Sequence, residues 1–333
     1  MNTNGIVDIL NALPTSKLIS TVSAGIGKLY EPTHIKRIAK AKAEEIKLIS
    51  GAMEECSVIP TQYNDGSLSL NNTDWDDFVR RTQGRMAFQE LQKQNNIECV
   101  VADAYNILEN EQTCSEEPVE QGWINRFFDS VADVSDEDLQ KLWGKVLAGE
   151  IKQPKSYSLR TLETLKNLSK HEAELFQQII PYIVSMDGKM FLSADNDLLQ
   201  KYAVSYGVLL TLDECGLINS TGLVSLNPVV SIDKHIALYN RSQIAIMRGL
   251  TTNNERITFG EYGLTTAGRE LYSILDGIPN DEYLYEFVEN IAKTNPQKVK
   301  VTVHQIDYIE TNCIHYSNTV LREYPIVTPT EDN

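Results

Sequence analysis

The chain has 333 residues, of which 42% are hydrophobic, and a formal net charge of −16. That length suffices for two or three domains with buried cores, and the charge argues against a molecule-wide surface for nucleic acid. Five scattered cysteines without a CxxC pair, and no signal-peptide pattern, predict free thiols in a reducing cytoplasm.

The run from 6 to 30 is weakly polar and broken by Asp8, Asn11, Pro14 and Lys17, short of the ~20 apolar residues of a spanning helix. Within it, Leu18, Val22, Ile26 and Leu29 recur at helical spacing while Ala24, Gly25 and Gly27 keep one side small, a pattern that predicts an amphipathic helix packed on another helix. After Glu31-Pro32-Thr33 a second helix is expected from about His34, with Ile35, Ile38 and Ile46 inward and Lys36, Arg37, Lys40 and Lys47 outward. Residues 60–73, rich in Asn, Asp, Gly and Ser, read as an exposed connection.

From Asp74 a long helical pattern runs towards Asn110, with Thr73 as N-cap and Trp75, Phe78, Met86, Leu91, Ile97, Val100 and Leu108 as its apolar residues. Gly84 and Gln94-Asn95-Asn96 are places where it can bend or break. A further helix is expected over 116–134, with Trp123, Ile124, Phe127, Phe128 and Val131 inward.

The segment from 134 to 179 carries the most explicit local signals. Ser135 with Asp138, and Ser169 with Glu172, each fit a capping box, in which a hydroxyl accepts from a first-turn amide and a carboxylate reaches back. Leu139, Leu142, Trp143, Val146 and Leu147 form one apolar stripe, and Gly149 followed by Pro154 is expected to end it.

Beyond Val184 the pattern changes. Residues 185–188 read as a turn, 189–193 as a short strand, and 197–206 and 208–214 as two short helices ending at Gly216. Short extended pieces follow at 217–218 and 223–226, and 257–259 with 263–265 leads into a helix over 266–275. The order of LLTLDECGLI and YGLTTAGRELYSIL resembles the helix, strand, wing and closing helix of winged-helix domains, although the stretch between them is long for a simple wing. The remainder reads as a helix over 280–293, a strand over 298–309 and a disordered end from 328.

No catalytic constellation accompanies these elements. His34, His171, His235, His304 and His315 are isolated, and His304 and His315 near Cys313 fit no metal-ligand spacing. A GxSxG elbow and a GxxxxGK[ST] loop are both lacking, so no enzyme, cofactor or metal is expected. Two basic groups are the candidates for contact, Lys36, Arg37 and Lys40 on one helix and Arg80, Arg81 and Arg85 on the next, together with the apolar Leu18, Val22 and Ile26. Against nucleic acid stand residues 101–150, with twelve acidic and three basic side chains, and 197–276, with eight acidic and six basic ones.

At GIGKLYEPTHIKRIAKAKAEEIK (25–47), at WINRFFDSVADVSDEDLQKLWGKVLAGEIKQPKSYSLRTLETLKNLS (123–169) and in the KHEAELF that follows, the chain resembles a bacterial family known only as a domain of unknown function, up to about Ile180. More loosely, the LW-K-LAGE-P-S-L-LK-LS arrangement is similar to that of abortive-infection alpha proteins. That likeness implies phage defence as a context and supplies no catalytic residues.

The expected fold is mainly α: amphipathic helices over 1–60, a helical domain over 61–184, a smaller α+β domain resembling a winged helix over 185–277, and a helix, strand and tail over 278–333. The expected role is a non-enzymatic, cytoplasmic interaction or sensor protein in antiviral defence that binds a protein partner, of phage origin in that context, and self-associates. A DNA-binding regulator using the winged-helix-like domain and a membrane-perturbing effector using residues 10–30 are the alternatives.

Overall fold

The computed structural model describes residues 14–26, 72–111, 113–219, 225–310 and 313–324. The expected helix carrying Lys36, Arg37 and Lys40 lies outside them, as do most of the connection at 60–73 and the tail from 328. The chain divides between Lys166 and Asn167 into two compact units, upstream of the expected boundary at 184.

Among the described residues the first unit is helical: α1 (Pro14–Ile26), α2 (Asn72–Leu108), α3 (Gln121–Val131), α4 (Glu137–Lys152) and α5 (Leu159–Lys166). Helix α1 packs against α2, α3 and α4, with Leu18 and Val22 fully buried. The long helix α2 runs unbroken through Gly84 and Gln94-Asn95-Asn96. Its second half carries the core residues Ile97, Val100, Val101 and Leu108, whereas Phe78, Met86 and Leu91 on the first half are exposed. At the centre, Phe127 lies 5.0 Å from Trp123 in a stacked pair and 5.3 Å edge-on from Trp143.

Two local expectations at α4 are corrected. The cap is Asp136 and not Ser135: its carboxylate accepts from the amides of Asp138 and Leu139, because the chain turns one residue later than the capping box requires. Gly149 does not stop the helix, which continues to Lys152. Its missing side chain serves a contact instead, since a Cβ there would come within 2.5 Å of the Tyr157 hydroxyl. Helix α3 likewise begins at Gln121 rather than at 116, the chain passing through Pro118 before it turns.

The second unit opens with α6 (Lys170–Ile179), whose N-terminus carries the complete Ser169–Glu172 capping box. A hairpin of β1 (Val184–Met186) and β2 (Lys189–Ser193) follows, turned by Asp187 and Gly188, both at positive φ, as a two-residue hairpin loop requires. Then come α7 (Asn196–Lys201), α8 (Tyr206–Glu214), β3 (Ile218–Asn219), β4 (Ser225–Leu226), β5 (Val229–Val230), β6 (His235–Tyr239), β7 (Gln243–Gly249), β8 (Glu255–Arg256) and β9 (Phe259–Leu264). Last are α9 (Thr266–Ile274), α10 (Asp281–Thr294), β10 (Val299–Glu310) and β11 (Cys313–Tyr324).

The strands form an antiparallel sheet in the order β11-β10-β7-β6-β1-β2-β9-β3, with β4 also on β9; β5 and β8 pair separately. This unit is therefore not confined to 185–277, because β10 pairs along its first half with β7, Val299 opposite Gly249 through Gln305 opposite Gln243. Helix α10 lies against β10 and β11, and its Leu284, Phe287 and Val288 are buried along with Val299, Val301 and Val303 of β10.

Candidate functional site

In the first unit, the C-terminal end of α4 organises the loop after it. Glu150 is 1% exposed, and its carboxylate accepts from the backbone amide of Lys155 at 2.6 Å and that of Tyr157 at 3.1 Å. Lys155 is thereby held at a φ of 70°, and Trp123 closes the loop from the other side by donating its indole N–H to the Tyr157 carbonyl at 2.9 Å. Sequence reasoning missed Glu150, yet a signal was present: it follows Val146 by one helical turn, placing an acid on the buried stripe, where a carboxylate is retained only if it is paired.

A second fixed point is Lys17 on α1, whose ammonium donates to the carbonyls of Ser115 at 2.7 Å and Glu117 at 2.5 Å. Burial lowers its pKa, and the charges of Cys114, Glu117 and Glu150 act against that shift. These bonds pin α1 to the loop before α3, beside an open cleft of about 520 Å³ lined by both. Lys17 therefore serves as a staple between α1 and this loop.

The candidate contact residues are not brought together. Leu18 and Val22 are inside the first unit, which removes them from any displayed surface, and Ile26 ends the α1 backbone. Arg80, Arg81 and Arg85 stand exposed on the first half of α2, where Arg80 pairs with Asp77 at 2.5 Å and Arg85 donates to Gln89 at 3.3 Å. Among the described residues no group of three His, Cys, Asp or Glu side chains could hold a metal ion. His304 is instead bonded to the Ser317 carbonyl and the Thr302 hydroxyl, both at 3.0 Å, and the His315 ring stacks on Tyr308 at 4.2 Å.

In the second unit exposed apolar side chains occur on α8 and on the β10–β11 ribbon, and also at Ile232, Leu250 and Ile278. Helix α8 displays Tyr206, 69% exposed, and Leu210, 42% exposed, one turn apart and followed by Glu214; the helix contains no basic residue. Its C-terminal neighbour Cys215 has its thiol pKa pushed up to about 12, first by burial and then by the Glu172 carboxylate, so this sulfur is not a reactive one. The β10–β11 ribbon has Tyr308, Ile309, Tyr316, Val320 and Leu321 exposed. Two polar clusters elsewhere in this unit are tied into structure. Arg241, in the β6–β7 turn, donates to the carbonyls of Tyr272 and Leu275 at the end of α9, and Asp281 accepts from Asn240, Ser242 and Gln243.

A family model described as "Protein of unknown function (DUF2806)" matches residues 80–288, more than half of the chain. The match runs well past Ile180, where the resemblance was expected to fade, into β9, α9 and the first turns of α10, and it leaves 25–47 outside. No curated protein and no solved structure matches.

Proposed function

The chain belongs to the family described as DUF2806, a protein of unknown function, and on that premise we propose that it is a non-enzymatic, cytoplasmic protein-interaction protein. It binds a protein partner and self-associates, in bacterial antiviral defence of the abortive-infection type. The observation that carries the binding role is the outward face of α8, where Tyr206 and Leu210 are exposed beside Glu214 on a helix without a single cation.

The position of that helix gives the observation its weight. Strands β2, β9 and β3 are neighbours in that order, with α7 and α8 in the chain between β2 and β3, an order that supports the winged-helix likeness, with β4 to β8 all inserted between β3 and β9 and the sheet continuing past β2 into β1. In a DNA-binding version the second helix enters the major groove, and cations on and around it supply most of the affinity. An apolar and acidic face in that place favours a protein. The defence context rests on the sequence likeness to abortive-infection alpha proteins alone.

The DNA-binding alternative keeps one supporting observation, the strand order itself. The membrane alternative is weakened by the burial of Leu18 and Val22, and among the described residues no helix is long and apolar enough to cross a membrane. The deciding experiment is affinity recovery from phage-infected and uninfected cells with the wild-type chain and a Tyr206→Asp/Leu210→Asp variant, alongside retention of duplex DNA at low and high salt. A protein recovered by the wild type and lost with the variant is expected. Equal recovery by both, or DNA retention that falls steeply with salt, overturns the reading.

A further inference from the structure

We infer that the β10–β11 ribbon is the self-association surface of this protein and that its occupant is the same ribbon of a second copy. The inference rests on the self-association part of the proposed function and names its residues. It starts from a row of isoleucines. Ile244 and Ile246 of β7 and Ile306 of β10 form a small buried cluster with Ile314 of β11 packed on its margin. Ile314 stands directly opposite Ile309 in the ribbon register, and directly opposed residues of an antiparallel pair share one face. The row therefore runs from a buried base, through half-buried Ile314, to Ile309, which is 51% exposed. A core that continues into solvent along one face lacks its final covering layer.

Three further observations point to a second copy as that layer. The ribbon, residues 299–324, carries two basic side chains, Lys300 and Arg322, against three acidic ones, Asp307, Glu310 and Glu323, in a chain whose net charge is −16. Lys300 and Glu323 neutralise each other at 2.8 Å, so this is a surface where two copies approach with little repulsion. An uncharged apolar patch also meets its own copy without a like-charge penalty, and a two-fold interface brings the same patch together from both subunits. The ribbon also ends the sheet, with no strand beyond β11 among the described residues.

The mode of contact follows from the register. Shifts interrupt the β10–β11 ladder between Val303 and Tyr308, and such bulges obstruct addition of another strand to an edge. The two ribbons accordingly meet through side chains, face to face, rather than as one continuous sheet. Twelve-residue strands span about 40 Å and a pair is about 10 Å wide. One ribbon face, with Ile306 and His304 already buried within it, thus offers at most about 400 Å², no more than half of the roughly 800 Å² per partner of a standard interface. The dimer is therefore reversible over the working range of concentration.

The test is sedimentation velocity of the full chain over a concentration series, with Ile309→Lys as the variant and Ile278→Lys, at a site 89% exposed in the α9–α10 connection, as the control. The wild type and the control should pass from 37.5 kDa to twice that mass as concentration rises. Ile309→Lys should stay monomeric with an unchanged melting midpoint, and Ile309→Ser, a milder change, should shift the transition to higher concentration. Alkylation of Cys313, the exposed first residue of β11, read by peptide mass, should slow as the wild type dimerises. A wild type that is monomeric throughout removes both self-association and this surface. A dimer unaffected by Ile309→Lys, or equally weakened by Ile278→Lys, removes the surface alone.

Discussion

Replacing Glu150 should unlock the loop after α4 and destabilise the first unit as a whole. The carboxylate accepts two backbone amides from a position 1% exposed to solvent. Hydrogen bonds to a charged acceptor contribute about 1.5–3 kcal/mol each, so Glu150→Ala removes roughly 3–6 kcal/mol of interaction. Part of this is returned, because a freed Lys155 can leave its positive-φ conformation and regain about 1 kcal/mol. The net cost is then about 2–5 kcal/mol, a large share of the ~5–15 kcal/mol that holds a typical domain. Glu150→Gln keeps one carbonyl acceptor and offers the other amide only a donor, so roughly half that loss is expected. All three tryptophans, Trp75, Trp123 and Trp143, precede residue 167, and urea unfolding followed by tryptophan emission therefore reports the first unit without interference from the second. An alanine variant with the wild-type midpoint would refute the assignment of Glu150 as the residue that fixes this loop.

Three other outcomes are expected. Val22→Asp buries a charge where a fully enclosed side chain contributed about 1.5–3 kcal/mol, so the first unit should lose its cooperative thermal transition; a normal transition would mean that α1 is not packed as described. Glu261 is buried, one of its carboxylate oxygens has no partner, and burial raises its pKa. Its contribution is thus present below the ordinary carboxyl pKa of about 4.3 and lost as pH rises through the raised value. Glu261→Gln should accordingly gain about 1–3 kcal/mol at neutral pH and nothing near pH 4, and a pH-independent difference in chemical denaturation would contradict this. Cys215, with its pKa pushed up to about 12, should react with a thiolate-selective reagent at pH 8 about a thousandfold more slowly than an unperturbed thiol of pKa ~8.5, as timed peptide mass analysis would establish.

What was legible in the sequence was mostly what is local. The Ser169–Glu172 box depends on four consecutive residues and is formed as expected, and Trp123, Phe127 and Trp143 occupy the core that their spacing implied. Misreadings arose where a distant partner decides. Gly149 has the composition of a stop signal, but the Tyr157 ring sets its role, and no spacing rule reports that contact. Strand β7 went unread because both of its faces are largely covered: Gln243 through Met247 are all buried, which erases the alternation that marks a half-exposed strand. Of the candidate contact residues, Arg80, Arg81 and Arg85 are exposed on α2 as their charge implied, and Leu18 and Val22 are buried against α3 and α4 as the helical spacing of the apolar residues in α1 implied. The ribbon's second strand gave no warning, since its bulges break the period that would reveal it.

The pairing of β7 with β10 also sets a schedule for synthesis. Gly249 is made some fifty residues before Val299, the residue it faces, a gap that translation at about 5–20 residues per second fills in about 2.5–10 s. During that interval the edge of β7 that β10 will occupy is complete and unpaired, with Ala245 and Met247 not yet covered by the valines of the later strand. Strand β7 pairs with β6, and β6 with β1, all made earlier, but its other edge has no partner before β10, so the nascent chain must carry this adhesive edge until its last strands emerge. Slow translation across 250–298 would lengthen that exposure, and a ribosome stalled there would present a strand in search of any neighbour.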